Sequence, residues 1–186
     1  PFKSNMTCFY SLIKNKTIKN YVAYKSEVNS ITIKEVFTNT FISKLEGHED
    51  LITEIKFISY SNTKQASFNY LYSASLDKRL IIWDVDSLSI FKSLTYDSWI
   101  LSSTISYSPS FDSLYVIIIG GYYKNEPIKV YTLKENQVND YVINVKFDSI
   151  PEICWSSLSD KDENERKFLF IGTDSSKPML VWMDFI

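Results

Sequence analysis

Few residues in this chain have the types and spacings that catalysis or metal binding requires. His48 is the only histidine, and the only two cysteines, Cys8 and Cys154, lie far from it and from each other in the sequence. A metal site needs several such ligands in a close pattern, so we expect no bound metal. The hydrolase, zinc-protease and Cys-x-x-Cys motifs are missing, and Gly120-Gly121 lacks the Lys-Ser/Thr ending of a phosphate-binding loop. We therefore expect a protein that is not an enzyme and that binds no cofactor or small-molecule substrate.

The single histidine belongs to the most regular segment of the sequence, residues 45–85. A Gly47-His48 pair stands near its start and a Trp83-Asp84 pair near its end. Between these pairs, apolar residues recur at every second position in runs rich in Ile, Leu and Tyr, which is the pattern of half-buried β-strands. A short polar stretch separates the last two runs and predicts a tight hairpin. The histidine therefore lies just before a set of antiparallel strands.

These features together give the segment a family resemblance. With its Gly-His and Trp-Asp pairs and the intervening Ser-Ala-Ser-Leu-Asp stretch, it resembles a WD40 repeat, which forms one blade of a β-propeller. In that family, the histidine links a hydroxyl of the second strand to the carboxylate of the hairpin, and the indole N–H joins the same network. The resemblance implies a structural network of His48, Ser73, Asp77 and Trp83, with Ser75 as the alternative hydroxyl. Such a network satisfies buried polar groups and holds the strands of a blade together.

The same pattern recurs four times along the chain. The third-strand candidates end at intervals of 49, 48 and 51 residues, at Lys34, Trp83, Tyr131 and Trp182. An aromatic residue of each first strand lies 25, 26, 24 and 27 residues earlier, at Phe9, Phe57, Tyr107 and Trp155. Two landmarks that keep nearly the same offset indicate internal repeats of blade length. The approximate repeats are 1–46, 47–96, 97–148 and 149–186.

We predict an all-β fold of about four WD40-like blades, each with four antiparallel strands. The second strands are predicted at Tyr21–Tyr24, Tyr70–Ser73, Tyr115–Ile119 and Phe168–Ile171, and the outer strands at Phe41–Glu46, Leu88–Thr95 and Tyr141–Asp148. Ring closure protects the edges of propeller sheets, and the family usually closes with seven or eight blades. We therefore expect residues 1–186 to form a single partial propeller within a larger ring, with a closed four-bladed ring as the alternative.

The composition indicates an ordered domain inside the cell. With 45% hydrophobic and 23% charged residues, the chain has enough apolar mass for a core. Cys8 and Cys154 directly precede the first-strand aromatics of two repeats, which predicts buried free thiols rather than a disulfide framework. No apolar run is long enough to span a membrane. We expect an intracellular location, with nucleus and cytoplasm both open, and no membrane partner.

Partner binding is expected at the ends of the predicted blades. The net charge is −2, and no Lys/Arg block predicts a nucleic-acid surface. In the WD40 family, the top face is built from the loops that enter each first strand and from the second-to-third hairpins. The resemblance therefore places candidate partner-binding residues at Asp50, Leu76, Lys78, Arg79, Trp99, Tyr122, Tyr123 and Lys124. Aromatic and Arg side chains among mixed charges suit protein recognition; a core position at the head of its strand is the alternative for Trp99.

Two functions fit this sequence. The first is a non-catalytic WD40 scaffold or adaptor that mediates protein–protein interactions within a multi-subunit intracellular complex. The second is a propeller subunit of a ribonucleoprotein assembly, such as the machinery that processes small-subunit ribosomal RNA, with RNA contacted indirectly through the complex. The stretch Leu71–Asp77, preceded by the Gly-His-Glu-Asp-Leu-Ile-Thr segment, resembles nucleolar WD40 proteins of small-subunit assembly.

Overall fold

The computed structural model consists of short antiparallel strands that follow one another along the chain. It describes residues 7–14, 17–61, 67–108, 113–120, 128–134, 137–143, 151–155, 167–173 and 179–183. Within these ranges there are 15 β-strands and no helix, which confirms the predicted all-β class. It follows that this described part offers no helix suited to crossing a bilayer.

Consecutive strands pair with one another in four sheets. The first sheet contains β1 (Thr7–Lys14), β2 (Thr17–Lys25), β3 (Ser30–Glu35) and β4 (Phe41–Glu46). The second sheet contains β5 (Ile52–Ser61), β6 (Ser67–Ser75), β7 (Arg79–Asp84) and β8 (Ser89–Thr95). The third sheet contains β9 (Ile100–Ser108), β10 (Ser113–Gly120), β11 (Ile128–Lys134) and β12 (Gln137–Ile143). The fourth sheet contains β13 (Pro151–Trp155), β14 (Lys167–Thr173) and β15 (Met179–Met183).

Apolar residues alternate along the inner strands of the first sheet. In β2, Tyr21 and Ala23 are buried, whereas Val22 between them is half-buried. In β3, Ile31 and Ile33 are likewise buried. Because residues two apart on a strand share a face, the first sheet gains one continuous apolar side.

The core of the unit formed by residues 1–100 lies between the first and second sheets. The chain divides into two compact units, 1–100 and 101–186. In the first unit, buried residues of both sheets form one cluster that contains Tyr10, Leu12, Tyr21, Ala23, Ile31, Ile33, Leu45, Ile52, Ile55, Leu71, Ile81, Trp83 and Val85. Tyr10 stacks on Phe57, with ring centroids 4.5 Å apart. The apolar side of the first sheet therefore packs against one face of the second, and this burial holds the two sheets together.

The predicted strands differ from the observed ones mainly at one outer strand. The strand predicted at Tyr141–Asp148 instead spans Gln137–Ile143, because Lys134 of β11 already pairs with Gln137. Residues 144–148 of the prediction lie outside the described part of the chain. Each of the four sheets falls within one of the predicted repeats, whose boundaries stay a prediction.

Cys8 is a free thiol, but the prediction that it is buried is wrong. It is half-buried, because β1 is an edge strand of the first sheet and only part of the side chain meets the core cluster. Burial raises the pKa of this thiol, and a backbone hydrogen bond at Phe57 acts in the opposite direction. The side chain of Cys154, on β13, lies outside the described residues.

Candidate functional site

The second sheet brings the residues of the predicted network together at one end. Leu71 of β6 lies opposite Trp83 of β7, and Ser73 lies two residues further along β6. Ser73 and Trp83 therefore share one side of the sheet. His48 lies shortly before β5, and Asp77 lies in the hairpin between β6 and β7. Antiparallel pairing thus places the start of β5 beside the β6–β7 hairpin, although the residues are distant in sequence.

Three hydrogen bonds connect the four side chains. Asp77 Oδ2 lies 2.8 Å from His48 Nδ1, and Ser73 Oγ lies 2.8 Å from His48 Nε2. The Trp83 indole N–H donates to the same Ser73 oxygen at 2.9 Å. The side chains of His48 and Asp77 are 0% and 5% exposed. Because water hardly reaches these groups, they depend on one another for hydrogen-bond partners.

The chemistry of the partners assigns the protons in this network. An ionised carboxylate only accepts, so Nδ1 of His48 carries the proton that is donated to Asp77. An indole N–H only donates, so Ser73 Oγ accepts from Trp83. Nε2 of His48 forms the third bond of the network, with the Ser73 hydroxyl. Each member of the network therefore has a hydrogen-bond partner.

The Asp77 carboxylate collects several further hydrogen bonds. It accepts the backbone N–H of Glu49 at 2.9 Å and the backbone N–H of Arg79 at 2.8 Å. Burial alone would raise the pKa of Asp77, but the hydrogen bonds from His48 and from these two N–H groups outweigh burial and lower the pKa to about 2. Asp77 is therefore an anion at neutral pH.

The Arg79 side chain faces this network, which the sequence did not reveal. Its Nη2 donates to Gly47 O at 2.8 Å, to Glu49 Oε1 at 3.0 Å and to Asp77 Oδ2 at 3.2 Å. The sequence predicts that Arg79 binds a partner. In the structure its side chain links the loop before β5 to the β6–β7 hairpin through these hydrogen bonds. Glu49 was not predicted as a network member. Only its position directly after His48 signalled that it would meet the hairpin.

Gly47 allows the loop before β5 to approach the indole. A Cβ atom at Gly47 would lie 2.9 Å from Cη2 of Trp83 and 3.3 Å from the Cδ1 atoms of Ile81 and Ile90. A rigid ring at that distance leaves no room for a side chain. The Gly-His and Trp-Asp pairs of the sequence are therefore coupled by packing as well as by hydrogen bonds.

The arrangement has the serine–histidine–aspartate order of hydrolase triads, but its geometry does not suit catalysis. Ser73 is 0% exposed, and its hydroxyl oxygen already accepts the Trp83 indole N–H. A nucleophile must meet its substrate, and this one lies inside the sheet packing. Within the described ranges, no group of three or more His, Cys, Asp or Glu residues could hold a metal ion. The network can hold the loop before β5 and the β6–β7 hairpin together at one end of the second sheet.

Ser75, the alternative hydroxyl, strengthens the same end of the sheet in another way. It donates to Asp50 O at 3.1 Å and accepts the Asp77 N–H at 3.1 Å. The Leu76 N–H donates to Leu51 O at 3.0 Å. These bonds tie the β6–β7 hairpin to the loop that enters β5.

Several of the predicted partner-binding residues lie on the β6–β7 hairpin and on the loop that enters β5. Asp50 and Lys78 are exposed, and Leu76 is half-buried. Lys78 has a φ of 69° at the tip of the hairpin. Its carbonyl oxygen accepts the Tyr96 N–H at 2.8 Å, which joins the hairpin to the following loop. The three candidates therefore lie on backbone that is hydrogen-bonded on both sides.

Trp99 lies in the loop between β8 and β9, which is held at both ends. Tyr96 is bonded to Lys78 at one end, and at the other Ile100 O accepts the Thr53 hydroxyl at 2.7 Å. The Trp99 side chain is 41% exposed, so the structure places it at the surface rather than in the core. The remaining candidates, Tyr122, Tyr123 and Lys124, lie outside the described residues.

Comparison with solved structures relates this architecture to known folds. Over 97% of its length the chain matches the structure of U3-55K, with a TM-score of 0.57 and 14% identity. Over 89% of its length it matches the β-propeller domain of Cps50 (Swd1) from Myceliophteria thermophila, with a TM-score of 0.52 and 13% identity. The chain spans 62% and 52% of those two chains. No protein-family model and no curated protein matches the sequence. The likeness shows the fold, and the predicted propeller architecture is confirmed.

Proposed function

We propose that this chain, whose sheets are blades of the WD40 β-propeller fold, acts as a non-catalytic scaffold that binds proteins within a multi-subunit intracellular complex. One observation carries the proposal: the second sheet ends in a buried, fully bonded network that holds exposed side chains around it. Such an end is suited to binding rather than to reaction, because its polar groups are already occupied.

Rigidity makes this end of the sheet a favourable binding surface. The hairpin with Leu76 and Lys78 and the loop with Trp99 are each anchored by backbone hydrogen bonds. A surface that is ordered before binding loses little conformational entropy when a partner docks. Tryptophan is among the residues most enriched at binding hot spots. We therefore assign Trp99 as the main anchor and Leu76 as its apolar neighbour on the same end of the sheet.

The charges around these anchors favour a protein partner over a free nucleic acid. Glu49 and Asp50 are exposed beside Lys78, and the Arg79 charge is compensated by Asp77 and Glu49. A phosphate backbone needs uncompensated positive charge. A partner with mixed charges around an apolar contact fits the surface better.

The test is affinity purification of the natural protein from its own cells, with mass spectrometry of what co-purifies. We expect a stoichiometric set of proteins, and loss of at least one of them in the Trp99→Ala variant. Phe37→Ala is the matched control, because Phe37 is an exposed aromatic in the β3–β4 hairpin, away from this site. Equal recovery of every partner with both variants would show that Trp99 does not anchor a partner.

The second candidate function is a propeller subunit of a ribonucleoprotein assembly located in the nucleus. The observation in its favour is the resemblance of Leu71–Asp77 to nucleolar WD40 proteins of small-subunit assembly. Nuclease treatment during the same purification separates the two candidates. Partners that resist nuclease support the scaffold, whereas loss of most partners together with enrichment of ribosomal precursor RNA supports the ribonucleoprotein subunit. RNA-dependent association should also weaken steeply with salt.

A further inference from the structure

The β5 strand is irregular close to its start. Ile52 of β5 lies opposite Ser75 of β6, and Glu54 lies opposite Ala74. Three residues of β5 therefore face two of β6, and Thr53 is the extra one. An extra residue in one strand of an antiparallel pair is a β-bulge, which bends the strand and redirects the side chains around it.

The bulge changes which residue of β5 enters the core. In a regular strand, Thr53 would share a face with Ile55, two positions further on, and Ile52 would lie on the opposite face. In the structure, Ile52 belongs to the same core cluster as Ile55 and is 0% exposed. The bulge therefore gives the core position to an apolar side chain and leaves the hydroxyl of Thr53, which is half-buried, to find a polar partner.

The partner of Thr53 is the backbone directly after Trp99. The Thr53 hydroxyl donates to Ile100 O at 2.7 Å, across 47 positions of the sequence. Ile100 is the first residue of β9 and is 0% exposed, so the bond ends on a firmly packed residue. The other end of the loop is held by the backbone bond from Tyr96 to Lys78. Of these two bonds, the one from Thr53 is made by a side chain, so substitution can remove it.

We propose that Thr53 is a positioning residue for Trp99. The bulge directs the Thr53 hydroxyl to the Ile100 carbonyl, and this bond fixes the backbone from which the Trp99 side chain, 41% exposed, reaches the surface. An anchor that is held before binding loses less conformational entropy when a partner docks. For its effect on binding, this inference rests on the proposed function, in which Trp99 is the main anchor. The link between Thr53 and Trp99 itself is measurable in the free protein.

The first test records ¹⁹F NMR spectra of the purified natural polypeptide with 5-fluorotryptophan at its four tryptophans. Trp99→Phe identifies the Trp99 resonance. Thr53→Val removes the hydroxyl and should broaden or split this resonance while the other three stay unchanged, whereas Thr53→Ser keeps a hydroxyl and should preserve it. An unchanged Trp99 resonance in Thr53→Val, or equal changes in all four resonances, would overturn the proposal. Thr53→Ala replaces Thr53→Val in the same comparison if the valine variant does not fold.

The second test measures the effect of this positioning on binding. For a co-purifying protein that Trp99→Ala loses, Thr53→Val should raise the dissociation constant by about fivefold, the effect of one hydrogen bond, and Thr53→Ser should restore it. Thr40→Val is the matched control, since the Thr40 hydroxyl bonds Thr38 in the β3–β4 hairpin. An unchanged dissociation constant in Thr53→Val would overturn the role in binding. If Trp99→Ala loses no protein, the assignment of Trp99 as an anchor fails, and the ¹⁹F spectra still decide whether Thr53 positions it.

Discussion

The first and second sheets use the same hairpin between their third and fourth strands. In the first sheet, the Thr38 N–H donates to Glu35 Oε2 at 3.0 Å. In the second, the Ser87 N–H donates to Asp84 Oδ1 at 2.8 Å. In both, a carboxylate at the end of the third strand caps the turn that follows it. The hairpin therefore recurs even though the two repeats have little sequence in common.

The backbone of the two hairpins agrees as closely as the caps do. Each turn ends in a residue with positive φ, Asn39 at 54° and Leu88 at 56°. Each also begins with a bond back to the second strand, from Val36 N to Asn20 O at 2.8 Å and from Val85 N to Asn69 O at 3.0 Å. The plan of the sheet is therefore set by strand alternation and turn chemistry.

The difference between the sheets lies in the buried polar network. Strand register puts Lys34 of the first sheet where the second has Trp83, and Tyr24 where the second has Ser73. The first sheet nevertheless forms all four strands. The comparison teaches that the network is not needed to form the sheet but strengthens one end of it.

The largest expected effect is that of Trp83→Ala. The substitution removes a buried indole and leaves Ser73 without its donor, so the free energy of unfolding should fall by about 4 kcal/mol. Lys34→Ala, at the equivalent position of the first sheet, should change it by less than about 1 kcal/mol. Urea unfolding of the purified protein measures both. Equal losses would show that the first sheet depends on this position as much as the second does.

A smaller loss is expected for Ser73→Ala. The variant leaves both the His48 ring nitrogen and the Trp83 indole N–H without a partner in a buried site, which should lower the free energy of unfolding by about 3 kcal/mol. Ser11→Ala in the first sheet is the control, since Ser11 is exposed and bonds Asn20. Its effect should stay within about 0.5 kcal/mol. If the two serines contribute equally to urea stability, the buried network has no special role.

The network should also make the free energy of unfolding depend on pH. The pKa of Asp77 is lowered from 3.8 to about 2 in the folded chain, so ionised Asp77 stabilises the fold at pH values above its unfolded pKa. This contribution, about 2 kcal/mol, should be lost as the pH falls from about 5 to 2. Urea unfolding of the natural chain at several pH values in this range gives the slope of the free energy of unfolding against pH. Asp77→Asn should flatten it, and an unchanged slope in that variant would assign the acid sensitivity to other carboxylates.

The smallest effect is expected in the hairpin that both sheets share. Asn39 adopts a left-handed conformation, which asparagine tolerates better than alanine. Asn39→Ala should lower the free energy of unfolding by about 0.5–1 kcal/mol, whereas Asn39→Gly should be nearly neutral. Differential scanning calorimetry of the two variants measures this difference. A stabilising alanine would contradict the role assigned to the turn.

Much of the second sheet could be predicted from the sequence because its signals are local. Strand alternation and a polar turn fix β6 and β7, and the paired signatures around Gly47 and Trp83 fix the blade type. The weaker repeats lack these pairs, and the outer strand predicted from Tyr141 begins instead at Gln137. Its true start depends on the pairing of Lys134 with Gln137, which is a contact between strands.

The sequence by itself determined the all-β class, the blade repeat and the candidate members of the network, since these depend on residue types at short, regular spacings. Tertiary structure decided which serine joins His48, that Arg79 turns towards Asp77, and that Trp99 reaches the surface. It also decided that Phe9 is exposed while the equivalent Phe57 is packed on Tyr10. Burial and hydrogen-bond partners are set by residues that are distant in sequence. No local pattern therefore shows which of two equivalent sheet faces packs against another sheet.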